Sequence, residues 1–457
     1  MSQPAKPASY YSGCNERLLA AVPASALRLL EVGCGTGALG VRLKAQNPHR
    51  VVYGVEREPL IAAQAAEQLD QVFTLDVEKD GVPLEPGSLD CILYGDVLEH
   101  LHDAEAVLAR HRRLLTPGGI ILCSVPNVQH HSLVTALLRG DWQYTSAGLL
   151  DVTHLRFFSW STFFKLLLDA GYAPDIEGAI ELPPDAAFRA AVAPILKHVG
   201  VHRARTESYL SAYQYIIRGT PLSDPPAGAE RPLSFVVCVS DEATLQANLL
   251  SSPCLAMGTP NEVLLYRDCQ SAADGLNRGL SEARHEIVVC LHQDVYLPRG
   301  WPARFIARYD EARLVHGPLG VAGVYGVGLR GGRVRRAGHV VDRDRLRREP
   351  PALPAAVETL DELLLAVPRG SPLSFDPALG FHFYGADLCL QARRRGLATV
   401  ALDALCFHNS RSVDVPSDFY ACGSAFARKW PGMLPVATSC VVVDNRWRNR
   451  PPVPAPT

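Results

Sequence analysis

The sequence predicts an α/β protein built as one doubly wound unit followed by a second α/β unit. Three observations lead there. The chain has 457 residues, more than the roughly 100–200 that one hydrophobic core usually organises. Short apolar runs alternate with stretches of helical period in both halves. Between the halves, TPLSDPPAGAERP is rich in Pro and Gly and has no hydrophobic period, as expected of a linker.

Taken in order, LRLLEV is an apolar run that ends in the glycine-rich turn GCGTG and is followed by the helix-period stretch ALGVRLKAQ. VVYGVE, VFTLDV and LDCILYGD continue the strand series, then come the amphipathic AEAVLARHRRLL, the turn TPGG and the strand IILCSV. This alternation predicts a parallel sheet. A less regular insertion spans about 126–158, and STFFKLLLDAGY and YLSAYQYIIRG close a first domain over 15–219. Residues 220–232 form the linker. The strand-like runs LSFVVCVS, NEVLLYR and HEIVVCLHQDV open a second α/β domain over 233–445. Residues 1–14 and the tail 446–457, which includes RNRPPVPAPT, are expected to lack order.

Hydrophobic residues make up 47% and charged residues 20%, an ordinary globular balance. With 45 basic against 47 acidic side chains the net charge is -2, which leaves no overall positive field for nucleic acid. The twelve cysteines are dispersed without a C-x-x-C pair, as in a reducing compartment. No secretory pattern opens the chain, and no run reaches the roughly 18 apolar residues of a membrane span. A cytoplasmic protein is the expectation.

The first chemical constellation is EVGCGTG, which sets Gly33, Gly35 and Gly37 between a strand and a helix. There, bare backbone can approach a ligand and helix-start N–H groups can face it. With Ala38 the turn also fits G-x-G-x-x-A, so a dinucleotide is weighed against S-adenosylmethionine. Glu31 precedes the first glycine, Glu56 ends the second strand at the spacing of a ribose-binding carboxylate, and Asp76 ends the third. Together these positions resemble the Rossmann-like class I methyltransferases. The resemblance implies S-adenosylmethionine as cofactor, with the three glycines at its methionine part, Glu56 at the ribose, Asp76 and Val77 at the adenine, Asp96 of YGDVLEHLHD lining the site, and Glu31 among the cofactor-binding residues. The N-P-P-Y motif of base-modifying enzymes is absent.

Methyl transfer needs a general base only when the acceptor must lose a proton. His154, in LLDVTHLRFFS, is the candidate, beside His100, His130 and His131, with a hydrogen-bonded structural role as the alternative for each. LLRGDWQYTSAGLLDVTHLRFFS resembles methyltransferases found beside bacterial capsule and lipopolysaccharide enzymes, which implies a glycan or glycan-precursor acceptor.

The second constellation begins with HEIVVCLHQDVYLPRGW, an apolar strand that ends at Asp294, where an α/β sheet exposes ligand-binding groups. LNRGLSEARHEIVVCLHQDVYLP and GFHFYGADLCLQARRRGL resemble the inverting, family-two glycosyltransferases of GT-A type. The resemblance implies a nucleotide-sugar donor with Mg²⁺ or Mn²⁺, Asp294 and His408 as metal ligands, and Asp387 as the general base. It also sets Asn277 and Asp241 on the donor side. Two departures from the family pattern are His292-Gln293-Asp294, in place of a double-acidic motif, and Ala386 before the base. His382 and Tyr384 are read either as shaping the acceptor pocket or as core. LRGGRVRRAGHVVDRDRLRRE mixes arginines with aspartates after glycine turns and reads as a solvated loop or hairpin. The whole is expected to be a bifunctional transferase. The alternatives are a methyltransferase whose second domain only binds the acceptor, and a scaffold without turnover.

Overall fold

The computed structural model describes residues 6, 10–199, 203–224, 228, 231–350, 352–410 and 418–449. It divides into two compact units, Met1–Ser223 and Asp224–Thr457. Part of the expected linker and residues 450–457 of the tail lie outside the described residues.

The first unit runs α1 (Glu16–Ala21), β1 (Arg28–Val32), α2 (Ala38–Gln46), β2 (Val51–Glu56), α3 (Pro59–Ala66), β3 (Gln71–Thr74), β4 (Leu89–Gly95), α4 (Ala104–His111) and β5 (Leu115–Pro126). It continues through α5 (His131–Arg139), α6 (Trp160–Asp169), β6 (Tyr172–Glu181), α7 (Ala186–His198), α8 (Arg203–Ser211) and β7 (Ala212–Pro221). Seven strands order as β3-β2-β1-β4-β5-β7-β6. β1 pairs parallel with both β2 and β4, so the strand order reverses at β1 and opens a crevice at its carboxyl end. The sheet departs from the all-parallel expectation at one edge, where β7 inserts antiparallel between β5 and β6. The pattern of alternating apolar runs does not encode strand direction, which depends on how α7 and α8 return the chain. The insertion also holds a helix, α5, whose Leu133 joins Leu149 and Leu150 in a small separate core.

The second unit comprises β8 (Ser234–Val239), α9 (Glu242–Ala247), β9 (Glu262–Arg267), α10 (Ala272–Glu282), β10 (Ile287–Leu291), β11 (Val295–Tyr296), α11 (Trp301–His316), β12 (Leu319–Gly323), β13 (Tyr325–Arg330) and β14 (Arg333–Asp342). After these come β15 (Arg345–Glu349), β16 (Ala355–Ala356), β17 (Thr359–Leu360), β18 (Leu364–Pro368), α12 (Tyr384–Arg394), β19 (Ala398–Ala401), β20 (Phe407–His408), α13 (Phe419–Lys429), β21 (Val436–Ala437) and β22 (Val442–Val443). The main sheet orders as β16-β19-β12-β18-β10-β8-β9, and a second sheet as β11-β20-β14-β13-β17 with β15 beside β14. β10 is buried at all five positions, which explains the unbroken apolar run IVVCL. Its end delivers His292 and Asp294 to the place where β11 and β20 pair, with Val295 opposite His408. The arginine-rich stretch forms the antiparallel meander β13-β14-β15, consistent with the hairpin reading.

Candidate functional site

In the first unit the glycine turn leaves β1 with Gly33, Gly35 and Gly37 at φ of 70°, 53° and 86°, a region that favours glycine. Gly33 and Cys34 donate N–H bonds of 2.8 and 3.0 Å to the Val55 carbonyl, which ties the turn to β2. A Cβ on Gly35 would stand 2.3 Å from the Tyr11 carbonyl oxygen, and Thr36 N–H donates to that same oxygen at 2.9 Å. The segment before α1 therefore packs on the turn, although residues 1–14 were expected to lack order.

Glu56, at the end of β2, accepts from Gly35 N–H at 3.1 Å through Oε2 and from Glu58 N–H at 2.9 Å through Oε1. A carboxylate has about four acceptor positions, so capacity remains for a ligand's hydroxyls. Asp76 accepts from Lys79 Nζ at 2.8 Å and from Glu78 N–H at 3.1 Å, and the lysine bond leads in holding its carboxyl below the usual range. Val77 is buried, and its carbonyl accepts from the Arg110 guanidinium. Asp96 takes a left-handed backbone (φ 54°) at the end of β4, accepts from Gln214 Nε2 at 2.6 Å, and is pushed up to about 7 by burial. Glu31 lies within β1, and burial pushes it up to about 8. The structure thus gathers these positions at the carboxyl ends of β1 to β4.

His154 and His100 meet edge to face, with ring centroids 4.8 Å apart. Their Nδ1 atoms lie 3.3 Å from the Leu149 carbonyl and 3.1 Å from the Thr153 carbonyl respectively. Both are held below the ordinary histidine range, chiefly by burial, His100 at about 4. The Glu99 carboxylate lies 3.9 Å from His154 Nε2. His130 caps α5, and both His130 and His131 meet the Leu182 carbonyl, at 3.0 and 3.1 Å, which gives them local structural partners.

In the second unit His292, Asp294 and His408 each offer a ligand atom within 4.8 Å of the others. His408 Nε2 lies 3.4 Å from Asp294 Oδ1, and its Nδ1 lies 3.2 Å from Asp342 Oδ1. Burial works against charge on His408, but the two aspartates overcome it and raise the imidazole to about 10. Burial likewise opposes ionisation of the aspartates, and His408 holds Asp342 at about 2 and Asp294 lower still. Two imidazoles with one carboxylate would suit a first-row cation such as Mn²⁺ better than Mg²⁺, which prefers oxygen alone, and such an ion would have to displace the His408 proton that faces Asp294. Tyr384, at the start of α12, bonds its hydroxyl to His292 Nε2 at 3.0 Å. His382 instead lies 3.4 Å from Asp418.

Asp387 has different company. It is fully buried and meets Lys429 Nζ at 2.7 Å, Trp430 Nε1 at 2.8 Å and Gln391 Nε2 at 2.7 Å. Gln391, Lys429 and Trp430 also line a cavity of about 500 Å³ that includes none of His292, Asp294 and His408. The Asp241 carboxylate caps α9 by accepting from Thr244 N–H at 3.1 Å. Asn277 spends both ends of its amide on the Phe375 backbone, each at 2.8 Å.

A family model described as a methyltransferase domain matches residues 10–175, and one described as a glycosyltransferase-like family matches 234–422. The chain joins a methyltransferase domain to a glycosyltransferase-like domain. The methyltransferase domain is 29% identical over 184 residues to a ubiquinone biosynthesis O-methyltransferase of Cereibacter sphaeroides, covering 36% of this chain and 68% of that protein. It is 35% identical over 148 residues to an uncharacterized 37.1 kDa protein in a Streptomyces fradiae transposon, covering 32% of this chain and 43% of that one. Among solved structures, a Thermotoga maritima SAM-dependent methyltransferase, titled a possible histamine N-methyltransferase, is 20% identical with a TM-score of 0.32 and covers 45% of this chain and 86% of its own.

Two residues of these clusters went unread in the sequence. Glu99 sits inside YGDVLEHLHD, and Asp342 is one charge among arginines. The Glu99-His100 pair was a usable signal for the first, since adjacent carboxylate and imidazole are both metal-ligand types. Asp342 reaches His408 only through the parallel pairing of β14 with β20, which no local pattern announces.

Proposed function

We propose that the methyltransferase domain transfers a methyl group from S-adenosylmethionine and the glycosyltransferase-like domain transfers a sugar from a nucleotide-sugar donor, on a bacterial surface glycan or its precursor. The observation that carries the first half is the Glu56 carboxylate bonded to Gly35 N–H at 3.1 Å, which joins the ribose-side acid to the glycine turn. In this reading Gly33, Gly35 and Gly37 receive the methionine part with Glu31, Glu56 binds the ribose, Asp76 and Val77 meet the adenine, and Asp96 lines the crevice. The sulfonium supplies its own leaving group, so the chain's work is to align donor and acceptor and to exclude water. His154 accepts the acceptor's proton. In the second domain Asp294 and His408 would hold the cation that offsets the leaving diphosphate, with Asn277 and Asp241 on the donor side and Asp387 as base.

A second reading, in which the glycosyltransferase-like domain only binds the acceptor, is favoured by the enclosure of Asp387 between Lys429, Trp430 and Gln391. Calorimetric titration tests both, using S-adenosylmethionine and, separately, nucleotide sugars with Mn²⁺. Glu56→Ala is expected to abolish only the first response and Asp294→Ala only the second. A wild-type chain that binds S-adenosylmethionine but no nucleotide sugar decides for the second reading, and failure to bind S-adenosylmethionine sinks both.

A further inference from the structure

We propose that Glu99, His100 and His154 form a site for one first-row divalent cation, of which Zn²⁺ is representative, within the methyltransferase domain. The side chain of Glu99 is 1% exposed, and neither of its carboxylate oxygens has a hydrogen-bond partner among the described residues. An ionised carboxylate buried without a partner is costly. Its surroundings must therefore supply either a proton or a cation.

The two histidines are arranged for the cation. His100 Nδ1 faces the Thr153 carbonyl at 3.1 Å and His154 Nδ1 faces the Leu149 carbonyl at 3.3 Å. A carbonyl accepts only from N–H, so each ring carries its proton on Nδ1 and leaves a lone pair on Nε2, which on His100 meets the Tyr10 hydroxyl at 3.4 Å, a long contact that an ion would replace. Ligating histidines are commonly oriented in this way, with the far nitrogen donating to a carbonyl or carboxylate. His154 Nε2 lies 3.9 Å from Glu99 Oε1, and the three residues offer ligand atoms all within 4.8 Å of one another. Two ligands at about 2.0–2.1 Å from a tetrahedral ion stand about 3.4 Å apart, so small side-chain rotations close the site. The nearby ammonium of Lys6 is paired with Asp151 at 2.5 Å and 2.6 Å, which offsets its repulsion of an incoming cation. Two imidazoles and one carboxylate leave a fourth position open, the pattern of reactive rather than structural zinc sites.

What the open position holds rests on the methyl-transfer reading, whereas the metal site itself does not. With the ion in place His154 is its ligand and no longer the base, and a hydroxyl oxygen of the acceptor bound at the open position would lose its proton to water more readily. That oxygen then forms the new bond to the methyl carbon, the carbon–sulfur bond breaks, and its electron pair returns to sulfur as a neutral thioether.

The test uses the full chain in an Asp294→Asn background, which removes the carboxylate of the second cluster, after the metal has been stripped by a chelator. Titration with Co²⁺, followed by its visible absorption, and with Zn²⁺, followed by calorimetry, is expected to show one equivalent bound. His154→Ala and the near-isosteric Glu99→Gln should each weaken binding roughly 100-fold, while S-adenosylmethionine binding on the same samples reports that the domain is folded. If His154→Ala fails that check, Glu99→Gln carries the comparison. No stoichiometric binding, or binding indifferent to both substitutions, overturns the site and leaves Glu99 a protonated core residue. Metal binding without S-adenosylmethionine binding by the wild-type chain would instead refute the methyl-transfer reading and leave the site standing.

Discussion

Glu31 shows what burying a single acid does to the pH dependence of stability. Burial raises its pKa from 4.5 to about 8. Between those values the folded chain keeps a proton that the unfolded chain has lost, so this residue's contribution is fully present below about 4.5 and disappears as pH rises through about 8. Glu31→Gln is therefore expected to flatten the fall in thermal stability across that interval and to make the variant the more stable one above it. Melting curves over a pH series check this, and an unchanged slope would show that Glu31 is not the group responsible. At Gly35, alanine must adopt a φ of 53° with its Cβ 2.3 Å from the Tyr11 oxygen. Strain of this kind costs about 1–3 kcal/mol. Gly35→Ala should accordingly weaken S-adenosylmethionine binding by roughly tenfold or more, as calorimetry would read.

Among the elements, Asn277 ties α10 to the Phe375 backbone by two bonds of 2.8 Å. Asn277→Ala leaves the part-buried Phe375 N–H and carbonyl to find other partners, a loss of about 1 kcal/mol that urea unfolding should register. A substitution that changes nucleotide-sugar binding without changing stability would give the residue a donor-side role instead. The strands β1, β2 and β4 and the helix after the glycine turn were legible because each carries its own period and the turn chemistry marks their junction. The acids following the strands were legible by spacing alone. Not legible were the antiparallel entry of β7, the helix within the insertion, and the contacts of Asp387. The first depends on chain return over some 30 residues (Glu181 to Ala212), and the last on α13, which lies 30 or more residues further along. Local periodicity carries no information about such partners.

For the molecule as a whole, separate cores in the two units imply separate responses to ligands. The buried cluster around Leu29 and Leu93 belongs to the first unit, and those around Phe235 and Val288 belong to the second. A ligand that binds one folded unit stabilises that unit by about 2.7 kcal/mol at a hundred times its Kd. Calorimetric melting is expected to resolve two transitions, with S-adenosylmethionine raising only one of them. A single transition that moves as a unit would show that the domains unfold cooperatively.

The clamp on Asp387 also bears on where the protein can be cut. The glycosyltransferase-like match ends at residue 422, but Lys429 and Trp430, which hold the buried carboxylate at 2.7 and 2.8 Å, come after it. Leaving a fully buried carboxylate without its counter-charge is costly even though Lys429 itself is partly exposed. A fragment trimmed to the matched boundary would thus lose its counter-charge along with a few apparently dispensable residues. Expression trials that step the C-terminus back through α13 should find solubility collapsing once Lys429 is gone, and the practical end of this domain lies beyond the end of its family likeness.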